Sequence, residues 1–192
     1  MGNITYDNLI DPFVVARGTA KNTFTSYQDV AGTASTPNTL PLTQANELKM
    51  GTKVVIEAVG EFSTTGTPTL SIGGIYGATP GAAGGTAIAQ SAAITTGTGA
   101  ASWPWHYRFN GIVTAVGASG VLYGSGILDL GTSLTAFTPA ACPTTAAGRS
   151  VTINTTTANS WGLGAAWGTS SASNQIIVDV FNLQVINQNK PG

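Results

Sequence analysis

Apolar and polar positions alternate with period two in several runs of this chain, the spacing of half-buried β-strands. The clearest run is Lys53 to Ser63, where Val54, Ile56, Ala58 and Phe62 alternate with Lys53, Glu57, Glu61 and Ser63, and Val55 and Val59 join the polar side. Gly60 interrupts the side chains and predicts a bulge or a close backbone approach. Trp103 to Val116 repeats the pattern with larger groups. Trp103, Trp105, Tyr107 and Phe109 share one face, with His106, Arg108 and Asn110 opposite, and such an aromatic row marks a core or an interface. Trp161 to Ile186 reads as a terminal hairpin: a Gly/Ala-rich run between Trp161 and Trp167, a polar turn from Gly168 to Asn174, and an arm rich in β-branched and aromatic residues. In that arm Phe181, Leu183 and Val185 take one face. Ile176, Val178 and Val180 fall on the other, with Asn182 and Gln184, so part of the arm is apolar on both sides. Either a bulge near Val180 switches the register, or the second face is buried against another molecule. The second explanation makes Ile176, Val178 and Val180 the candidate oligomer interface.

Further strands are predicted over Thr23 to Val30, Thr69 to Tyr76, Thr86 to Thr95, Val121 to Leu130 and Arg149 to Asn154, with a hairpin turn at Val116 to Val121. Ala31 to Asn46, Gly77 to Gly85 and Thr132 to Gly148 read as loops from their Pro, Gly, Thr and Asn content. About eight or nine short strands with Gly/Pro turns and no helix predict an all-β antiparallel sandwich, and pairing a late strand with an early one would make it a jelly roll. The sandwich is expected over residues 21–192. Residues 1–20, with NLIDPFVVARGTA at their centre, read as an extended N-terminal arm docking on the body, a neighbouring subunit or a host surface, or as an ordinary first strand. Leu9, Ile10, Phe13, Val14, Val15 and Arg17 are the contacts such an arm offers.

Only 8% of the residues are charged, against about 25% in an average domain. The apolar runs argue against disorder, and no stretch reaches the roughly 18 consecutive apolar residues of a membrane helix. A net charge of −1 with scattered signs leaves no footprint for nucleic acid or an anionic membrane. A surface of hydroxyls and small side chains loses its water cheaply and suits a protein packed against copies of itself or a larger assembly. The opening residues lack the charged and apolar regions of a secretory signal, so the product is expected to stay in the cytoplasm or to leave by lysis or within a particle.

Candidate chemistry is sparse. The lone cysteine, Cys142, excludes an intrachain disulfide and a multi-cysteine zinc site and reads as a small buried or loop residue. His106 is the single histidine, so any Ser-His-Asp triad must use it, yet no serine sits in a G-x-S-x-G elbow. Glu57 and Glu61 share a strand face roughly 13 Å apart, farther than a glycosidase pair. Asp129 with Asp179 is a pair that folding would have to bring together. The Gly-x-Gly pairs at 97, 124 and 162 lack the third glycine of a dinucleotide site. No catalytic, cofactor or metal residue is assigned, and the chain is not expected to be an enzyme. Trp103, Trp105 and Tyr107 are either core or a platform for stacking on a sugar.

Four segments, NLIDPFVVARGTAKNTF, ELKMGTKVVIEAVGEFSTTGTPTLSIG, SAAITTGTGAASWPWHYRFNG and AWGTSSASNQIIVDVFNLQVIN, give the chain, over nearly its full length, a likeness to another group of proteins. It resembles small structural proteins of tailed bacteriophages, especially those infecting actinobacteria. The shared motifs are structural and mark no chemistry. The resemblance implies a jelly-roll sandwich that assembles as a homotrimer, made in the host cytoplasm and carried on the virion. Its leading implication is a capsid decoration, or cement, protein on the outer surface of the head. The arm residues Leu9, Ile10, Phe13, Val14, Val15 and Arg17 would bind the major capsid protein, and Ile176, Val178 and Val180 would form the trimer contact. The alternative is a tail or head-fibre module that binds a host receptor or carbohydrate.

Overall fold

The computed structural model describes residues 5–15, 17–31, 40–79 and 82–189, and the side chains of residues 5–15, 188 and 189 lie outside that description. In chain order the strands are β1 (Thr5–Val15), β2 (Gln28–Asp29), β3 (Leu42–Thr43), β4 (Lys53–Ser63), β5 (Thr69–Tyr76), β6 (Thr86–Ile88) and β7 (Ile94–Thr95), followed by β8 (Trp103–Ala115), β9 (Gly120–Gly131), β10 (Phe137–Cys142), β11 (Ser150–Ile153), β12 (Asn159–Trp167) and β13 (Gln175–Asn189). One 3-10 turn, Ala147–Arg149, precedes β11. Two antiparallel sheets pack as a β-sandwich, the expected fold class. The seven-stranded sheet runs β1-β13-β4-β8-β9-β10, with β11 also on β9; the six-stranded sheet runs β2-β12-β5-β6, with β3 on β12 and β7 on β5. Late strands pair with early ones in both sheets.

Residues Trp161 to Ile186 do not form a hairpin. β12 lies beside β5 in the six-stranded sheet, and β13 lies between β1 and β4 in the other. The reason is length. Hairpin loops are usually two to five residues, whereas the link from Gly168 to Asn174 reaches roughly 23 Å when extended, ample to cross sheets packed about 10 Å apart. β4 has the predicted bounds. β10 lies in the segment expected as loop: its sequence FTPAAC is short, carries a proline and shows no alternation, so only pairing with β9 makes it a strand.

The doubly apolar part of β13 resolves as a bulge. Its register on β4 shifts between Val178 and Val180, so Ile176 and Val178 point the same way as Phe181, Leu183 and Val185, and all five are buried in the chain's own core. Ile176 and Val178 are therefore not an oligomer interface; Val180, which follows the bulge, is the only one of the three left exposed. Gly60 sits opposite Val178, and a Cβ there would overlap the Ile177 carbonyl oxygen and lie 2.5 Å from the Trp105 ring. Both expectations for Gly60, bulge and close approach, meet at one spot.

The aromatic row of β8 fills the space between the sheets. Trp105, Tyr107 and Phe109 are fully buried, and Trp103 packs at the edge with its ring 6.1 Å from that of Phe62. The Tyr107 hydroxyl ties the layers together: it accepts the Gly74 N–H at 3.2 Å and shares its proton between the Ile88 and Ala89 carbonyls at 3.3 and 3.2 Å. On the opposite sheet Trp161 stacks edge-on against Tyr76, 4.7 Å away, and donates Nε1–H to Thr43 Oγ1. Trp103, Trp105 and Tyr107 are thus core, not a sugar platform.

The six-stranded sheet is also covered from outside. Its outward positions in β5 and β12 include Gly73, Gly162 and Gly164, and the side chains of Tyr27 and Asp29 lie over them. A Cβ at Gly164 would overlap the Tyr27 ring, 2.3 Å from two of its carbons. Tyr27 donates to the Gly74 carbonyl at 3.1 Å, and the fully buried Asp29 accepts the Ala31 N–H at 3.2 Å. Burial, and to a lesser degree Tyr107, raises the Tyr27 hydroxyl well above its usual range.

Candidate functional site

Among the described residues nothing comparable covers the outward face of the seven-stranded sheet, and the register lays its side chains out as a grid. One row across β4, β8, β9 and β11 is Lys53, Ile112, Tyr123, Ser150; the next is Val55, Asn110, Ser125. Then come Glu57, Arg108, Ile127, Ala141, and Val59, His106, Asp129, Pro139, the last of each on β10. Alternation on each strand places these residues outward because their neighbours fill the core.

Among the described residues, three arginine–carboxylate ion pairs and one histidine–carboxylate contact lie on this face. His106 Nε2 is 3.1 Å from Glu57 Oε1, Arg108 reaches Asp129 at 3.3 Å, and Arg17 bridges Glu61 and Asp179 at 2.7 Å each. Every participant is at least partly exposed, so each pair contributes little to stability. Arg17, expected to contact a capsid, is held by two carboxylates, Glu61 and Asp179, and its side chain stays 57% exposed. The chain continues past it along β13, with Gly18 N–H on the Val178 carbonyl and Lys21 paired to Ile176. The backbone of residues 5–15 is strand β1 on β13, the arrangement of an ordinary first strand and equally of an arm docked on the body. Leu9, Ile10, Phe13, Val14 and Val15 belong to β1, and their side chains lie outside the described residues.

Asp129 and Asp179 stay apart, since β4 and β8 stand between their strands, a gap of roughly 14 Å. Glu61 and Asp179 do converge, which strand spacing could not reveal, but the arginine between them makes the group a clamp. Among the described residues no group of three or more His, Cys, Asp or Glu could hold a metal ion, and no helix is long and apolar enough to cross a membrane. Cys142 is buried, and burial pushes its thiol up to about 12, so it is a poor nucleophile at neutral pH.

Between the rows lie two shallow depressions. One, of about 420 Å³, is lined by Lys53, Asn110, Ile112, Tyr123, Ser125 and Arg149 among others. The second, of about 350 Å³, shares Asn110 and Ser125 with it and extends to Arg108 and Ile127. Exposed apolar side chains continue past them: Ile112, Tyr123, Ile127 and Phe137 are each 43–49% exposed, and Leu134 is 66% exposed. The site missed in the sequence is this open face, whose residues come from strands far apart in the chain. Comparison of the chain with protein-family models, curated proteins and solved structures returned no match.

Proposed function

We propose that this chain is a virion structural protein, a capsid decoration protein that joins the outer surface of a tailed-phage head as a homotrimer and stabilises it. The observation that carries the reading is the uncovered face of the seven-stranded sheet, with Ile127, Leu134 and Phe137 exposed around β9 and β10. Soluble chains rarely leave such apolar side chains together unless something packs on them. The resemblance of the four segments to phage structural proteins supplies the setting. The trimer contact is assigned here to Ile127, Leu134 and Phe137, replacing the core residues Ile176 and Val178. Many modest contacts repeated over a shell would act together, so that release requires breaking them at once. No catalytic role is proposed, because the two carboxylates that meet are bridged by Arg17.

The test is the mass of the purified chain in solution, beside an Ile127→Lys, Phe137→Lys variant, with binding of both to heads stripped of their outer proteins. A trimer that binds heads, and a folded variant that is monomeric and does not, is the expected result. A wild-type chain that ignores stripped heads removes the decoration role. The alternative of a tail or head-fibre module loses its aromatic platform, since Trp105 and Tyr107 are buried.

A further inference from the structure

The larger depression on the open face differs from its surroundings in one respect. Each described carboxylate on that face, Glu57, Glu61, Asp129 and Asp179, has a basic partner, and His106, Arg108 and Arg17 are engaged. The side chains of Lys53, Asn110, Tyr123, Ser125 and Arg149, all exposed and all lining the same depression, make no hydrogen bond or ion pair to another described residue. Two unneutralised cations, an amide, a hydroxyl and a phenol ring with an open face therefore converge on a surface floored by Ile112, Gly111 and Gly124.

We infer that this depression is a binding site for an acidic carbohydrate. The cations supply attraction for a carboxylate or other anionic substituent. The Tyr123 ring and Ile112 offer a flat apolar surface for the C–H face of a sugar. Asn110 and Ser125 donate and accept, which suits hydroxyls that do both. The shared wall at Asn110 and Ser125 opens the site towards Arg108 and Ile127, so the groove follows β9 from Tyr123 to Ile127 over roughly 14 Å and has room for more than one ring. Nucleic acid fits less well: a polyphosphate chain demands a run of cations, and the chain's net charge is −1. The site goes beyond the decoration role and does not depend on it. Ile127 belongs to both the trimer contact and the far end of the groove, so a copy packed on Ile127, Leu134 and Phe137 would close that end and leave open the larger depression around Lys53, Tyr123 and Arg149.

Titration of the full chain with an oligogalacturonate, followed by amide chemical shifts and calorimetry at low and high salt, tests the assignment. Expected are shifts centred on Tyr123, Ser125 and Asn110 and an affinity that falls as salt rises. Lys53→Gln, Arg149→Gln and Tyr123→Ala should each weaken binding about tenfold with unchanged melting temperature. Lys21→Gln, at the far edge of the sheet beside β13, should leave it unchanged. Absence of binding overturns the site. So does equal weakening by Lys21→Gln, which would mean diffuse attraction, or indifference to Tyr123→Ala, which would mean an anion contact only. Equal binding of the methyl-esterified oligomer would show that charge plays no part, and tighter binding of a single-stranded oligonucleotide would give the face to nucleic acid. None of these readings needs a virion or a trimer, so their failure is separate from failure of the decoration role.

Discussion

The two sheets of this sandwich have outer faces built on opposite plans. On the six-stranded sheet, glycines stand where outward side chains would, and the chain lays its own residues, Tyr27 and Asp29, into the trough they leave. All but the first residue of β5 is buried. On the seven-stranded sheet the outward positions carry charged, amide and apolar side chains, and Ile112, Tyr123 and Ile127 among them stay exposed. Sealing one face from within leaves the other as the surface on which function must be sought. It also explains how 8% charged residues suffice: eight of them, Arg17, Lys53, Glu57, Glu61, Arg108, Asp129, Arg149 and Asp179, gather on or beside the open face.

The sharpest way to break the comparison is across the bulge of β13. Val178→Lys places an ammonium in the core and should cost about 4 kcal/mol or more, since a buried unpaired charge has no partner to offset its lost water. Val180→Lys, two residues on and 38% exposed, should change stability by no more than about 0.5 kcal/mol. Equal effects in urea melts would mean that the bulge is misplaced. The two outer faces separate next. Gly164→Val must expel the Tyr27 ring and should destabilise by about 2–3 kcal/mol, whereas Ser125→Val on the open face should be near neutral. A tolerated valine at 164 would show that Tyr27 does not seal the sheet.

The smallest effect is one of pH. The Cys142 thiol titrates at about 9 in the unfolded chain and is raised to about 12 by burial in the fold. Its neutral form is thus favoured by folding: the contribution is intact below pH 9 and lost as pH rises from 9 towards 12. The Tyr27 and Tyr107 hydroxyls, raised mainly by burial, act with the same sign above pH 10. Stability should therefore decline on the alkaline side, and Cys142→Ala should flatten the first part of that decline. A melt series from pH 7 to 11 with the same slope in both proteins would remove the thiol from the account.

Much of the fold could be read because alternation is a local property. Residues 53–63 and 103–116 announce their inward faces without reference to anything distant, and the burial of Trp105, Tyr107 and Phe109 follows. The errors arose where partners are remote. Whether Ile176 and Val178 face a core or a neighbour depends on a bulge opposite Gly60, more than a hundred residues earlier. The hairpin reading of Trp161 to Ile186 failed because adjacency in sequence suggested adjacency in a sheet. The open face drew no attention because Lys53, Tyr123 and Arg149 are unremarkable alone and meet only through the β4, β8, β9 and β11 register.

The pairing of β2 with β12, and of β1 with β13, has a consequence in time. At the usual pace of synthesis, roughly ten seconds separate the appearance of Tyr27 from that of the glycine trough it fills. Until β12 emerges, Tyr27 and Asp29 have only the β5 side of the trough to occupy, and β4 can pair with β8 but not with β13. Neither sheet closes on the ribosome before its last strand arrives. The sandwich is therefore assembled by its final residues, in one late, long-range step of the kind that makes β-rich chains fold slowly.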